Sequence, residues 1–370
     1  MKKIYWSIYI IVLFIILSCS WDSDPEDKKV VWIPGTYTMI EVPVPQGGIT
    51  FPIGYDDDGT ATINNAYYLG ETQITCGLWQ AVAYWATFEK KGEYYDFIYW
   101  SERPYLPNPD NPNLPRIYYP TWGKMDYPMW GVTYLQVLVW CNAYTEWHNQ
   151  IYGTNYTPVY INESGTPIRS AKEPYDPSTY NFSTLQNYLD NHPKMKEYIR
   201  NVETSGTGFR LPTPEEWELA ARWRGSDDTN TVKGIVNGID FSIQPIKFTK
   251  GNSVSGGSDN INNLNECNKY AVFEYNSKAN SQGYGYTRFD LRPPKTKMPN
   301  ALNIYDMSGN LREFVYYVRD FNLRGYDYPF VQTRGGYYED NYSNIAIGGS
   351  IYVDIAAYNH YYGVRIARSK

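Results

Sequence analysis

The residues of this chain that could carry out redox or metal chemistry are its four cysteines, Cys19, Cys76, Cys141 and Cys267. A zinc cluster would need closely spaced thiolates, and no C-x-x-C pair occurs, so such a cluster is not expected. Cys19 belongs to a secretory signal, which leaves an odd number of cysteines and at least one unpaired thiol. Cys76 and Cys141 lie in helical apolar patterns and are predicted to be small buried residues.

Three carboxylates, Glu215, Glu216 and Glu218, are close enough in sequence to suggest an acid pair. The preceding Thr213-Pro214 indicates a helix start instead. The Thr213 hydroxyl can accept a hydrogen bond from a free backbone N–H of the first turn, and the Glu216 side chain can accept one from the Thr213 amide. Pro214 suits the first helical position, because the N–H that it lacks would have no partner there. Acidic side chains are also favoured at the positive end of a helix. We therefore predict a structural role for all three carboxylates.

The remaining candidates for chemistry are isolated from one another. The run Asp56-Asp57-Asp58 could hold a cation, but the following glycine favours a solvated turn. Glu71 precedes a helix and is predicted to be a contact at the helix entry. His148 and His192 lie far apart in helical, polar surroundings and are predicted to be structural. No Ser/His/Asp arrangement and no phosphate-binding glycine loop is found.

Caps and periodicity predict the elements that would position any site. Thr75 is the expected N-cap of a helix over residues 76–88. Thr133 and Gln136 form a capping box for a second helix over residues 134–147, whose apolar residues fall on one face. Residues 37–42 alternate between apolar and polar types and predict a strand.

Composition limits the choice of partners and cellular location. The 370 residues could form one large domain or two moderate ones, and 39 of them are Tyr, which suits semi-buried surfaces and binding faces. The net charge of −6, with no clustered basic face, excludes nucleic acid as a partner. Residues 1–19 form a charged and then apolar signal that ends Ile16-Leu17-Ser18-Cys19.

This ending is typical of a lipobox and predicts lipidation of Cys19 at the outer membrane or cell surface. The alternative, an uncleaved transmembrane anchor, would need a longer apolar run. Residues 20–30 have no apolar period and are predicted to be a flexible tether.

The last stretch, residues 334–368, has fixed-looking ends around an irregular middle. It opens with Arg334-Gly335-Gly336 and closes with Gly363-Val364-Arg365. Residues 337–362 between them have neither a helical period nor a long alternation. Their Tyr, Asn, Ser and Gly content resembles that of an antibody paratope, where Tyr provides contact area at low entropy cost.

These end motifs, the segment 208–222 and the segment 300–314 occur in an order that resembles the formylglycine-generating-enzyme (sulfatase-modifying factor) family. The resemblance implies an α+β, C-type-lectin-like fold of the formylglycine-generating-enzyme subclass for residues 31–370, irregular and loop-rich with few helices. It also implies that residues 154–205 are an insertion, with a helix over 184–198, and that residues 334–368 are a variable C-terminal region.

Enzymes of this family carry a catalytic cysteine pair a few residues after the Gly-Gly. In this chain those two neighbourhoods read Tyr338-Glu339-Asp340 and Asn344-Ile345-Ala346, and no cysteine follows Arg334. The thiol chemistry of the enzymes therefore has no nucleophile in this segment.

A second resemblance concerns the residue types that are missing. Diversity-generating retroelements rewrite adenines in asparagine codons, and such codons cannot become Lys, Glu, Gln, Met or Trp. Glu339 is the sole residue of those types between positions 337 and 362. The segment thus resembles the variable region of a retroelement's target protein, of which some are lipoproteins with this fold. The alternative is a Tyr- and Asn-rich loop in a Tyr-rich chain.

The resemblance also suggests a metal. In the enzymes, the motif at 300–314 builds a calcium site, which by match would use Asp306 and Glu313 side chains and Gly309 and Leu311 carbonyl oxygens. Such hard oxygen ligands suit calcium. Arg312 stands where the family has Trp and could take the carboxylates itself, so a metal-free motif is the alternative. No other cofactor is required.

The leading interpretation is a surface-displayed binding protein without catalysis. Its partners would be variable protein or glycan ligands, and a fixed frame would present the side chains that vary. A formylglycine-generating enzyme and a carbohydrate-binding lectin are the alternatives. We expect ligand contacts from the bulky or polar members of the segment, namely Tyr337, Tyr338, Asp340, Asn341, Tyr342, Tyr352, Asp354, Tyr358, Asn359, His360 and Tyr361.

Overall fold

The computed structural model describes residues 37–90, 93–96, 125–171, 203–204, 206–279, 288–289, 291–323, 326–355 and 359–370. The protein divides into two units, Met1–Ile33 and Pro34–Lys370, and all described residues belong to the second. The predicted signal, Cys19 and the tether lie outside the described residues, as do His192, Tyr358 and most of the insertion. No helix within the described ranges has the length and apolar character needed to cross a membrane.

Helices begin where the sequence places their caps. Thr75 Oγ1 accepts a hydrogen bond from a backbone N–H in the first turn, and Thr133 and Thr213 each form a complete capping box. The capping predictions for these three helices are confirmed. The helices are α1 (Cys76–Tyr84, continued as a π-helical turn over Trp85–Glu89), α2 (Tyr134–Tyr152), α3 (Pro214–Arg222), α4 (Leu264–Tyr270) and α5 (Glu274–Ser277).

Most strands are short. They are β1 (Met39–Val42), β2 (Ile49–Ile53), β3 (Gly59–Ile63), β4 (Tyr67–Gly70), β5 (Tyr160–Ile161), β6 (Glu203–Thr204), β7 (Phe209–Arg210), β8 (Trp223–Gly225), β9 (Ile235–Val236), β10 (Ile239–Asp240), β11 (Lys247–Phe248), β12 (Lys278–Ala279), β13 (Arg288–Phe289), β14 (Arg312–Leu323), β15 (Tyr326–Arg334), β16 (Ser350–Asp354), β17 (Tyr362–Gly363) and β18 (Ala367–Ser369). The few helices and many short strands make an α+β, loop-rich architecture, as expected.

Two four-stranded sheets hold the C-terminal stretch at both of its ends. In one sheet, with order β1-β4-β18-β7, the last strand β18 lies between β4 and β7 and pairs antiparallel with both. In the other, with order β16-β15-β14-β17, strand β15 leads into the stretch and β17 closes it by pairing in parallel with β14. The stretch therefore starts and finishes in paired backbone.

The core beneath these sheets is dominated by aromatic residues. Trp79 of α1 stacks on Trp140 of α2 with ring centroids 5.0 Å apart, and Trp140 stacks on Tyr144 at 5.0 Å. Such pairs add to the stabilisation that burial of the rings provides. Cys76 and Cys141 are buried in the same cluster, so their prediction as core residues is confirmed.

Candidate functional site

A buried ion pair fixes the closing end of the C-terminal stretch. Arg365 and Glu313 are 0% and 1% exposed, and their side chains form two hydrogen bonds, each of 2.8 Å. Glu313 also accepts from Trp217 Nε1 at 2.6 Å and from Gln73 Nε2 at 3.0 Å. The other guanidinium donors of Arg365 reach two backbone carbonyls. A buried charge of this kind is tolerated because every polar atom has a partner.

This arrangement bears directly on the suggested calcium site. Both oxygens of Glu313 are used by protein donors, and the Leu311 carbonyl accepts from Gln73 Nε2 at 2.8 Å. The structure also corrects the metal-free alternative. Arg365, not Arg312, takes the Glu313 carboxylate.

Asp306 has spare hydrogen-bonding capacity among the described residues. It is 2% exposed, its Oδ2 accepts from the Lys295 amide at 3.0 Å, and its Oδ1 has no hydrogen-bond partner among the described residues. Burial raises the pKa of Asp306 to about 6. Calcium takes about 6–8 oxygen ligands, and within the described ranges no group of three His, Cys, Asp or Glu residues could hold a metal. Because protein donors already bind the Glu313 carboxylate and the Leu311 carbonyl, the arrangement favours the metal-free alternative. The calcium site itself stays a prediction.

A second buried cluster fixes the opening end of the stretch. Glu218 of α3, at 1% exposure, pairs with both Arg222 and Arg334 at 2.8 Å. Asp57 pairs with Arg222 at 2.5 Å and accepts from the Gly251 amide. Two predictions are thereby corrected. Glu218 is an internal counter-charge rather than a residue at the positive helix end, and Asp57 belongs to this cluster rather than to a solvated turn.

Between these fixed ends, Asp340 closes the first turn of the stretch. It is 5% exposed and binds Arg312 through three contacts of 2.6, 2.7 and 3.0 Å. Its Oδ2 also accepts from the Tyr337 amide at 2.9 Å, and its Oδ1 accepts from Asn344 Nδ2 at 3.1 Å. The expectation that Asp340 contacts ligand is wrong in this conformation, because both of its oxygens are engaged in the interior.

Tyr338 is the second residue that the structure removes from the predicted contact set. It is 5% exposed and packs against Val272, Leu291 and Leu311. A turn of two consecutive glycines at positive φ, Gly335 and Gly336, directs the chain inward just before it. The apolar pattern alone did not reveal this, because Tyr is equally common on surfaces and in cores.

The apolar middle of the stretch is buried against the rest of the fold, and we call this buried part of the stretch the frame. Ile345, Ala346 and Ile347 are 0–1% exposed. The amide of Gly348 donates to the Gly251 carbonyl at 2.9 Å, and a Cβ on Gly348 would lie 2.3 Å from the Gly54 carbonyl oxygen. This segment is therefore held against the scaffold and cannot accept larger residues at Gly348.

The other described members of the predicted contact set reach the surface. Asn341, Tyr342 and His360 are exposed, with Tyr342 in a 3₁₀ turn (Tyr342–Ile345). The half-exposed members are Tyr337, Tyr352, Asp354, Asn359 and Tyr361. Tyr358 lies outside the described residues. Their role in ligand contact stays a prediction.

Several aromatic members of the predicted contact set take part in two groups of neighbouring rings. In the first, the rings of Tyr337 and His360 lie 4.3 Å and 4.0 Å from that of Tyr361. Burial, with the Asp340 carboxylate nearby, raises the pKa of Tyr337, so it stays a neutral hydrogen-bonding phenol.

The second group is on the sheet, where Tyr352 of β16 lies 6.1 Å from Tyr317 and 5.2 Å from Phe321. Sequence reasoning missed Tyr317 and Phe321 as neighbours of the face, although both fall on one side of the alternating strand β14.

A cavity of about 300 Å³ opens where β15 passes into the stretch. The lining combines backbone at the paired glycines with two arginines and several hydroxyls. Its residues are Tyr55, Arg312, Thr333, Arg334, Gly335, Gly336, Ser343, Asn344, Gly349, Ser350 and Ile351.

None of the described cysteines approaches this cavity as a reactive thiolate. Cys76, Cys141 and Cys267 are buried. Burial raises the pKa of Cys141, and it raises that of Cys267 to about 11. A thiol of this kind is inert at neutral pH, since the thiolate is the nucleophile and metal ligand.

Comparisons with known proteins agree with this architecture. Residues 23–370 match the family described as sulfatase-modifying factor enzyme 1-like domain. The fold is similar to that of Treponema denticola variable protein 1, with TM-score 0.52 and 20% identity over 92% of this chain and 98% of that one. It is also similar to the crystal structure of CarF, with TM-score 0.54 and 18% identity over 90% and 99% of the two chains. No curated protein matches. The predicted C-type-lectin-like fold of the formylglycine-generating-enzyme subclass is thereby confirmed.

Replacing Asp340 by Asn should destabilise the protein. The change keeps a hydrogen-bond acceptor for the Tyr337 amide but leaves the Arg312 guanidinium, 12% exposed, without its counter-ion. Removing one partner of a buried pair costs about 3 kcal/mol. Urea unfolding of Asp340→Asn would measure this loss. Asn344→Ala, which removes one hydrogen bond donated by an exposed, uncharged amide to the same carboxylate, is the control and should cost only about 1 kcal/mol. Equal losses in the two variants would contradict the role given to the ion pair.

Calcium should not stabilise the protein, because Glu313 and Leu311 are already bound by protein donors. We expect the same thermal midpoint in EDTA and in millimolar calcium. A site filled at about 100 times its dissociation constant would add about 2.7 kcal/mol and raise the midpoint by several degrees. Magnesium at the same concentration controls for ionic strength, and a rise specific to calcium would restore the metal site.

Proposed function

Because this chain belongs to the sulfatase-modifying factor enzyme 1-like domain family, whose members include enzymes and non-catalytic proteins, we propose that it is a non-catalytic member. It binds ligands through the exposed side chains of its C-terminal stretch. The ligands are proteins or glycans that meet the protein at the cell surface, where the lipid on Cys19 anchors it. A retroelement diversifies the stretch and so changes the ligand.

The observation that carries this proposal is the division of the stretch into a buried frame and an exposed face. Ile345, Ala346 and Ile347 are fully buried, whereas Tyr342 in the same turn region is 41% exposed. Antibody loops follow the same rule, since a rigid scaffold tolerates changes at positions that only solvent touches. The missing residue types in positions 337–362 add support for diversification at adenines.

The enzymatic alternative is disfavoured by the residues that occupy its catalytic neighbourhoods. One neighbourhood ends in Asp340, which is bound to Arg312, and the other contains Ile345, which is buried in the core. Neither can act as a thiolate, and the described cysteines are buried elsewhere in the fold. Oxidation of a sulfatase-type cysteine peptide to formylglycine by the purified protein would overturn the non-catalytic assignment.

Simultaneous randomisation of Tyr342, Asn359, His360 and Tyr361 should leave most library members folded, because these side chains are exposed or half-exposed. Protease resistance of the displayed library would measure the folded fraction. Selection of that library against an unrelated protein such as lysozyme should then yield specific binders.

The matched control library randomises Tyr338, Ile345, Ala346 and Ile347 instead. Truncating such buried residues costs about 2–5 kcal/mol each, a large part of a typical stability of about 5–15 kcal/mol. Most members of the control library should therefore be digested. Equal survival of the two libraries would contradict the division into face and frame.

Sequences of this gene from independent isolates test the diversification. Substitutions should concentrate within positions 337–362, at adenines of asparagine-type codons. Within that window Tyr342, Asn359 and His360 should vary, whereas Asp340 and Gly348 should be kept, because they are bound to the scaffold. Substitutions spread evenly along the sequence would remove the retroelement from the proposal.

A further inference from the structure

We propose that the cavity beside Arg334 is a carboxylate-binding subsite of the ligand face, which takes either an acidic side chain or the terminal carboxylate of the ligand. The inference rests on the proposed function, since it names the chemistry of one ligand group at that face. It extends the face to residues outside the variable window.

The first argument is the unused hydrogen-bonding capacity of Arg334. Its Nη2 group binds Glu218 at 2.8 Å, and its Nη1 group lies 3.3 Å from the Gly349 carbonyl. Its Nε has no hydrogen-bond partner in the described part of the protein, although the residue is 7% exposed and lines the cavity. A buried guanidinium N–H without an acceptor is costly, so a ligand oxygen that reaches Nε through a small shift of the cavity wall would remove that cost.

The internal counter-charge of Arg334, Glu218, is shared with other donors. Glu218 Oε1 accepts from the Gly54 amide at 2.9 Å and from Arg222 Nε at 2.9 Å, while its Oε2 binds Arg334.

Arg312 contributes a second set of donors on the opposite side of the stretch's first turn. Arg312 donates hydrogen bonds to Asp340 from Nε and Nη2. Its Nη1 group takes no part in this ion pair. Both Asp340 oxygens are occupied by Arg312, Tyr337 and Asn344. Arg312 and Arg334 both line the cavity, and no acidic residue of the described ranges lines it.

These features select for a carboxylate rather than for negative charge in general. The two arginines are each paired, so the surroundings carry little net charge, and what remains is a surplus of donors. Hydrogen bonds between guanidinium and carboxylate are short, strong and directional. The exposed hydroxyls of Ser343 and Ser350 can add donors at the rim. A volume of about 300 Å³ is at the lower end for ligand pockets and suits one side chain.

The position of the subsite gives it a constant role. Arg312 and Arg334 precede the variable window, so rewriting of residues 337–362 leaves both in place. Ser343 and Ser350 lie inside the window and would alter access. The subsite thus provides one fixed anchor in a face whose other contacts change.

Three short probes test the idea on the full-length protein and separate the two sources of the carboxylate. N-acetylglutamate N-methylamide presents a side-chain carboxylate alone, N-acetylglutamine presents a terminal carboxylate alone, and N-acetylglutamine N-methylamide presents neither. The arginine Nε–Hε signals in ¹⁵N NMR spectra report binding. We expect the Arg334 signal to shift saturably with at least one acidic probe and to stay unchanged with the neutral probe.

A matched pair of variants ties the binding to the cavity. Ser350 is exposed, and it is in register with Arg334 across β15 and β16. Ser350→Asp supplies a competing internal carboxylate and should weaken the acidic probe by about tenfold, or about 1.4 kcal/mol. Ser350→Asn has nearly the same shape without charge and should bind as the native protein does. The same spectra show that both variants are folded.

Equal shifts with the neutral probe, absence of any shift, or unchanged binding in Ser350→Asp would each overturn the subsite. The library selection is independent of these probes. If the library yields binders but the acidic probes do not bind, the subsite is refuted and the proposed function stands. If the library yields no binders and the probes do not bind, both the subsite and the proposed function are refuted.

Discussion

The structure depends on two buried arginine–carboxylate centres that hold the ends of the C-terminal stretch. Arg365 with Glu313 secures one end, and Arg334 with Glu218 secures the other. Removing one partner from such a centre leaves a desolvated charge, which costs far more than an exposed pair gains. Both arginines belong to motifs that flank residues 337–362. The ends of the stretch are therefore held by contacts that do not depend on the side chains between them.

Within residues 337–362, the need to keep buried charges paired and the core filled restricts some positions and not others. Asp340 neutralises Arg312, and Gly348 lies against scaffold backbone that leaves no room for a Cβ. The three residues before Gly348 fill the core. Asn341, Tyr342 and His360 instead carry exposed side chains. The proposed recognition surface therefore uses positions whose side chains do not fill the core.

The relation to the enzymes of the family follows from what replaces the thiols. A thiolate pair needs an accessible, electropositive site. At one of the two neighbourhoods a carboxylate pairs with Arg312, and at the other an isoleucine extends the core. The donors that remain nearby, on Arg312 and Arg334, are suited to holding an oxygen anion rather than to activating a nucleophile.

The sequence by itself determined the features that local chemistry fixes. Capping residues such as Thr213 located helix starts, the ordered motifs identified the fold, and the window of missing residue types marked the stretch. Tertiary structure alone decided which residue meets which counter-charge. Arg365 rather than Arg312 binds Glu313, and Asp340 is buried, because these partners lie far apart in sequence and meet only when the sheets assemble. Tyr occurs both in cores and on surfaces, so its residue type does not predict burial. Only the packing of the folded protein shows that Tyr338 is buried and Tyr342 is exposed.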